Sequence, residues 1–401
     1  MLYLFVIVAF VTNCSSDKQL IDVLPCIDVR KVYPVKKIIL TDIADVTYIH
    51  LNTENADYLY RGGIKYITDS TIVVVDDASG SILFFSIDGK PKSRFNRYGN
   101  GPEEYSNKFF SIVFDEAADD VFVNIPSFFL ISGNSILVFS STGEYKRKLP
   151  LSWSALSLID FDRQSLFLYS LQNQYRKLMR EKTDVSSQSV DSSYFRISKT
   201  DGKVLTYVNF PDNVIDLTDR GGGIRRVDGY MRITNSAAGL FFCNPETDTV
   251  FLYNKDNTLT PIICKTPLVS DQNPKVILND FVDVGKYQFI RVYTIINADH
   301  EFKIPQDERY DYLNKHYIHD KKTGEIFRQK ISLPDYEGKD FFITAQKTHF
   351  NGKKTLAHFE LDLIELNQAN RENKLNGKLK KLVDTLNEKE DNNVLILLNF
   401  K

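Results

Sequence analysis

Along most of the chain, short apolar runs alternate with brief polar turns. The clearest run is Ile72-Val73-Val74-Val75-Asp76, a β-branched segment suited to a strand buried on both faces. From there one unit recurs: apolar strand, polar turn, apolar strand, then a two-residue turn signal. The signals are Asp88-Gly89, Thr142-Gly143, Asp201-Gly202, Asp256-Asn257 and Thr323-Gly324. Each follows a strand of similar rhythm: Ile82–Phe85, Ile136–Phe139, Tyr194–Ile197, Val250–Tyr253 and Tyr317–His319. Glycine or asparagine at the second position supplies the positive φ that a tight hairpin needs. The signals stand 54, 59, 55 and 67 residues apart, longer than the roughly 40–45 residues of a minimal propeller blade. Loop insertions therefore accompany the repeat, and the widest interval holds the polar stretch Ala298 to Asp311.

Five signals predict five complete blades and a sixth assembled from both ends of the chain. Asp45 to Leu51 reads as a first strand of the chain, and for the sixth blade the sequence offers Phe341-Phe342-Ile343-Thr344 and the terminal Val394–Phe400. Between the last two lies the one convincing helix, where Leu375, Leu379, Leu382, Val383 and Leu386 recur at helical spacing. Lys374, Lys378, Lys380 and Lys381 fall mostly on its other side, as on a helix packed against the sheets. Leu361 to Asn370 reads as a short preceding helix or, from the alternation of Phe359, Leu361 and Leu363, as a strand. Asp22 to Pro34 reads as an extended leader.

After the first hairpin comes Arg94-Phe95-Asn96-Arg97-Tyr98-Gly99-Asn100-Gly101-Pro102-Glu103-Glu104-Tyr105. Gly99, Gly101 and Pro102 make a rigid turn that continues neither strand nor helix. Glu104 can tie that turn through backbone hydrogen bonds while Tyr105 packs between blades. The stretch resembles the junction after the first complete blade of the bacterial six-bladed β-propeller lipoproteins, relatives of the NHL-repeat propellers. The ending Asp391-Asn392-Asn393-Val394-Leu395-Ile396-Leu397-Leu398-Asn399-Phe400-Lys401 is similar too, with Asn393 replacing the proline common in that family. Glu103 stands where many members have glycine. The resemblance implies an all-β chain: a six-bladed β-propeller closed by N- and C-terminal strands, with a C-terminal helical insertion (residues 361–390) in the last blade. It also implies a lipid anchor, in a family whose molecular role is largely unassigned.

Met1 to Val11 is an unbroken apolar run. A bilayer-spanning helix needs about 20 such residues, so this length suits the core of an export signal instead. Val11-Thr12-Asn13-Cys14 resembles a bacterial lipobox, although Asn13 replaces a small residue and no Lys or Arg precedes the run. The expected organisation is a signal peptide at 1–13, a lipid-anchored leader at 14–34 and the propeller at 35–401, held at the cell envelope by acylated Cys14. Cys26, Cys243 and Cys264 remain, with no CxxC pair. Cys243 and Cys264 lie in one apparent blade, either paired across adjacent strands or simply small buried residues.

Composition supports strands: 28 Phe and 21 Tyr against three Met. Fifty basic against 52 acidic residues leave a formal charge of −2, which gives no electrostatic footprint for nucleic acid. Gly99-Asn100-Gly101 is no dinucleotide loop, because Pro102 follows and no helix pattern comes after. His316 and His319 are three apart on a strand and point to opposite faces, so they do not converge on a metal. No Gly-x-Ser-x-Gly elbow occurs, and neither cofactor nor metal is implied. The most suggestive loop is Arg220-Gly221-Gly222-Gly223-Ile224-Arg225-Arg226, where Arg220, Arg225 and Arg226 can pair with an anionic group. Arg97 and Tyr98 are further candidate ligand contacts. The leading expectation is a non-catalytic, membrane-anchored propeller that binds a glycan, peptide or protein at its loop face or central channel. The alternative is a metal- or carboxylate-dependent hydrolase or lyase sited in the channel.

Overall fold

Each recurrent unit folds as four consecutive antiparallel strands. The computed structural model describes residues 24–53, 56–106, 111–124, 135–151, 155, 157–170, 193–210, 232–244, 247–296 and 304–401. Blade 1 comprises Gly62–Ile67, Thr71–Asp76, Ile82–Ser86 and Pro91–Phe95; blade 2 comprises Ser111–Asp115, Asp120–Asn124, Ser135–Phe139 and Tyr145–Pro150. Blade 3 holds Ser157–Asp160, Ser165–Tyr169, Tyr194–Ser198 and Val204–Val208; blade 4 holds Arg232–Asn235, Gly239–Cys243, Thr249–Asn254 and Leu259–Thr266. Blade 5 is built from Lys275–Val284, Tyr287–Ile295, Asn314–Asp320 and Ile326–Leu333. In every blade the first strand lies innermost, where neighbouring first strands such as Gly62–Ile67 and Ser111–Asp115 meet.

Blade 6 takes Thr348–Phe350, Thr355–Leu361 and Val394–Phe400 from the C-terminal end and Ala44–His50 from the N-terminal end. Val394–Phe400 is sandwiched between its neighbours, pairing Val394 with Leu361 and with His50. Its apolar residues on both faces are what such a middle strand requires. All five turn signals join third to fourth strands, with positive φ at Gly89, Gly143, Gly202, Asn257 and Gly324. The sixth blade lacks one because its third and fourth strands come from opposite ends of the chain.

Several connections differ from the sequence reading. The run before residue 35 is not wholly a leader. Cys26–Asp28 pairs in parallel with Cys264–Thr266 on the outside of blade 4, and Val35–Ile39 pairs likewise with blade 5. Cys264 is accordingly bonded to Cys26 rather than to Cys243, which is buried inside blade 4. That pairing joins residues 238 positions apart, beyond the reach of any local spacing argument. Phe341 ends an extra strand, Tyr336–Phe341, attached to blade 5 rather than blade 6. Among the described residues the helices are α1 (Leu40–Ile43), α2 (Gln306–Leu313), α3 (Leu363–Arg371) and α4 (Gly377–Val383). Thus α2 occupies part of the polar stretch expected as loop, and the apolar stripe falls on a shorter helix, α4, with Leu375 outside it bridging to Tyr336. Residues 355–363 satisfy both readings, as strand Thr355–Leu361 runs directly into α3, capped by Asp362.

Candidate functional site

The glycine-rich turn after blade 1 is held by its own residues. Glu104 Oε2 accepts the Gly101 N–H at 2.8 Å, and a Cβ on Gly99 would fall 2.0 Å from that oxygen. Tyr105 is fully buried. Its hydroxyl accepts from the Arg97 N–H at 2.9 Å and donates to Gly80 O at 2.8 Å, while its ring stands edge-on to Phe139 of blade 2. Burial pushes the Tyr105 pKa up to about 12. Arg97 Nε donates to Gly143 O of blade 2 at 2.9 Å. Tyr98 is half exposed, and Pro102 is exposed as well. The turn therefore bridges blades 1 and 2 and leaves Tyr98 as its most open ring. Arg220, Arg225, Arg226 and Cys14 lie outside the described residues.

The structure brings together a second group that spacing could not reveal. At the seam between blades 6 and 1, Glu360 Oε1 accepts the Ile64 N–H at 3.1 Å and lies 3.7 Å from His358 Nε2. His358 Nδ1 is 3.0 Å from His349 Nε2, and the Tyr66 and His349 rings meet edge to face. Tyr66 crosses to blade 3, where its hydroxyl donates to Asp160 Oδ2 at 3.4 Å. Lys199 Nζ then pairs with Asp160 at 2.9 Å and with Asp115 of blade 2 at 2.8 Å. Burial holds the His349 pKa well below its usual value, with neighbouring His358 adding to the shift. Burial opposes the Glu360 carboxylate, yet His358 and the Ile64 N–H more than offset it and lower its pKa. Burial raises the pKa of Tyr60, and the Glu360 charge raises it further. Burial lowers that of Lys347 despite Glu360.

Similar contacts stitch the other seams. Glu116 of blade 2 accepts from Thr68, Ser70 and Thr71 of blade 1. Asn235 of blade 4 donates to Asp160 O of blade 3, and Thr234 donates to Phe281 O of blade 5 at 2.7 Å. Asp280 of blade 5 accepts the Ala345 N–H from the connection into blade 6 at 2.8 Å. Much of the inner polar chemistry is thus committed to closing the ring. Among the described residues, no three His, Cys, Asp or Glu side chains are grouped to hold a metal ion. His316 and His319 separate as their spacing requires: His316 stacks under Tyr310, whereas His319 Nδ1 meets Gln288 Oε1 at 2.8 Å.

Antiparallel alternation gives each blade two distinct edges. Hairpins joining first to second and third to fourth strands share one, the turn edge. Connections joining second to third strands, and one blade to the next, share the other, the loop edge. Among the described residues, the exposed large apolar side chains divide sharply between them. Leu59, Tyr98, Leu268, Tyr310, Tyr312 and Ile364 all belong to loop-edge connections. Val32, Val35, Ile39, Leu205 and Tyr207 follow the outer rim, and none belongs to a turn-edge hairpin.

Comparison with known proteins agrees with this architecture. A family model described as a six-bladed β-propeller matches residues 15–211. A Bacteroides fragilis protein described as exported superposes with a TM-score of 0.57 at 13% identity, covering 92% of this chain and 99% of that one. A DUF4221-family protein from Bacteroides vulgatus reaches 0.46 at 12% identity, over 90% and 97% of the two chains. Virginiamycin B lyase from Staphylococcus aureus reaches 0.39 at 11% identity, over 89% and 100%. No curated protein matches the sequence. Strand order, closure by both chain ends and the family match make this chain a six-bladed β-propeller, similar over residues 15–211 to the family so described.

Proposed function

We propose that the chain is a non-catalytic binding propeller whose loop-edge surface recognises an extracytoplasmic glycan, peptide or protein. The carrying observation is the one-sided distribution of exposed apolar side chains. Exposed aromatic and aliphatic groups gathered on one side favour recognition, since solvated polar residues would otherwise serve there. To test it, Leu59, Leu268 and Ile364 are changed together to serine, with Leu205→Ser on the rim as control. Native complexes from the producing cell are then sized. Loss of the assembly in the triple variant alone is expected; its loss only in the rim control would overturn the reading.

The same reading places the protein at the cell envelope, exported and held by a lipid on Cys14 after removal of residues 1–13. No helix among the described residues is long and apolar enough to cross a membrane, and the short apolar run before Cys14 motivates the anchor. Mass spectrometry of the native amino terminus should find a diacyl or triacyl Cys14. An unmodified Cys14 within a longer chain would contradict it. Nucleic acid is not an expected partner.

One observation favours a second reading, a channel-sited lyase or hydrolase. Glu360, His358 and His349 form a relay that could serve His349 as general base, with Lys347 close by. The binding reading is preferred because Glu360 and His358 already hold the seam. Replacing His349 with Gln should leave ligand binding unchanged; loss of turnover on any identified substrate would establish the enzyme.

A further inference from the structure

The N-terminal segment is fixed to the outside of the ring at two places, with an open tip between them. Cys26–Asp28 lies along blade 4 with Ile27 fully buried, the Val29 N–H donates to Thr266 O at 3.0 Å, and Cys26 is bonded to Cys264. Val35–Ile39 lies along blade 5, and just before it the Tyr33 and Tyr317 rings meet edge to face at 5.4 Å. Between these holds, Arg30, Lys31 and Val32 are exposed, Val32 to 97%. Arg30 closes onto Asp28 through Nε and Nη2, both at 3.0 Å, so Lys31 is the open member of the pair. A turn bond from the Lys31 N–H to Asp28 O at 3.0 Å holds its backbone. Exposed tips of this kind are where proteases nick a folded chain.

The place of the tip gives a cut there a consequence. All six blades and Val35–Ile39 lie C-terminal to it, including Ala44–His50, which closes blade 6. Other exposed basic pairs, such as Lys321-Lys322 and Lys353-Lys354, sit in hairpins whose two strands both belong to a blade. A cut in those hairpins nicks the ring and separates nothing from it. Arg30-Lys31 is the one basic pair ahead of Val35. After a cut at that pair, the segment ending at Lys31 is held only by the paired residues Cys26–Asp28 and the bond to Cys264. Three paired residues with one buried apolar side chain are too little contact to retain a free peptide against the freedom it regains. The disulfide is therefore what keeps the two pieces together.

We propose that Lys31–Val32 is a processing site for an endoprotease selective for paired basic residues, and that Cys26–Cys264 retains the severed N-terminal segment until it is reduced. Two separate reactions then free the ring. The protease adds one water across the Lys31–Val32 peptide bond, leaving a carboxylate on Lys31 and an amine on Val32. A dithiol gives two electrons and two protons to the disulfide, becomes a disulfide itself and leaves thiols on Cys26 and Cys264. The consequence, release of the ring from the envelope, rests on Cys14 as the anchor; the site itself does not.

The test takes the protein from the cell that produces it and maps its amino termini by mass, with and without dithiothreitol. A population beginning at Val32 is expected, joined before reduction to a peptide ending at Lys31 and freed from it by dithiothreitol. Limited trypsin on the purified Lys18→Gln variant, which lacks the lone basic residue between Cys14 and Cys26, should make the same two-piece species. Arg30→Gln with Lys31→Gln should abolish it in both settings. Cys26→Ser with Cys264→Ser should lose the N-terminal piece without reduction; if that variant does not fold, dithiothreitol on the parent decides. No Val32 terminus in the cell-derived protein, a Val32 terminus whose partner peptide is lost before reduction, or trypsin that cuts elsewhere and spares Lys31–Val32 would each overturn the proposal. A Cys14 without lipid would count against the anchor alone, since the cut and the retained peptide are still read by mass.

Discussion

The turn edge and the loop edge of the ring are made from the same strands but meet different demands. Turn-edge hairpins are short and pressed against neighbours. A Cβ on Gly143 would fall 2.4 Å from Phe95 Cβ of blade 1, and one on Gly89 would fall 2.1 Å from His50 O of blade 6. Such contacts link each of these hairpins to the end of the preceding outer strand and leave little freedom in sequence. Among the described residues, loop-edge connections carry α2, α3 and α4 and six exposed large apolar side chains. Geometry fixes the first edge, while the second is free to vary and to recognise. Changes at the turn edge should therefore act on stability, and changes at the loop edge on binding.

Closure of the ring should show the largest effect. Removing residues 393–401 exposes both partners of a middle strand. Its four fully buried apolar side chains, Val394, Leu395, Ile396 and Leu398, contribute on the order of 6–12 kcal/mol. Against a typical net stability of ~5–15 kcal/mol, no cooperative thermal transition should remain. A truncated monomer with an unchanged melt would refute closure by both ends. Next comes a matched pair of turn glycines, Gly143 and Gly324, both at positive φ. Alanine at crowded Gly143 should lose about 3 kcal/mol, combining backbone strain with overpacking. At Gly324, where nothing lies within 4 Å, strain alone should cost about 1 kcal/mol. Equal losses in urea unfolding would mean that the turn edge is not braced by its neighbours.

Acid should weaken the loop side of blade 5. His316 is held neutral in the folded state, with its pKa down to about 3, whereas the unfolded ring titrates near ~6.5. Its contribution is complete above that value and is lost as pH falls below it, because the unfolded chain binds the extra proton. From pH 6.5 to pH 5 the loss is about 2 kcal/mol. Arg291 and Tyr310 face this ring, with Asp280 opposite Arg291 on the next strand. Urea curves at pH 7.5 and pH 5 should converge by that amount in His316→Gln; an undiminished difference would assign the effect elsewhere. The smallest effect belongs to Leu268→Ser and Ile364→Ser, each expected within ±0.5 kcal/mol of the parent in urea.

The same contrast explains what could be read from the sequence. Turn-edge signals were legible because a hairpin needs positive φ at one residue, and only a few residue types supply it cheaply. Closure was legible because Val394–Phe400 is apolar on both faces and lacks a partner nearby in sequence. The disulfide between Cys26 and Cys264 was not, since it depends on where the N-terminal strand wraps around the outside. Nor was the row Asp280, Arg291 and His316, or the relay of Glu360, His358 and His349, because register and blade twist bring these residues together. Helix α2 was missed because its sequence, Gln306–Leu313, carries no apolar stripe. Pro305 before it was the available signal, fitting the start of a helix.

The division of labour between the edges can be measured directly in the cell that makes the protein. A photo-crosslinking amino acid is placed singly at Leu59, Leu268 or Ile364 on the loop edge, and at Lys353 or Asp201 on the turn edge. Adducts are then resolved by mass, with sugar and protein adducts distinguished by glycosidase and protease treatment. Adducts at the loop-edge positions and none at the turn-edge positions are predicted. Adducts confined to Lys353 and Asp201, or equal at both edges, would contradict the account.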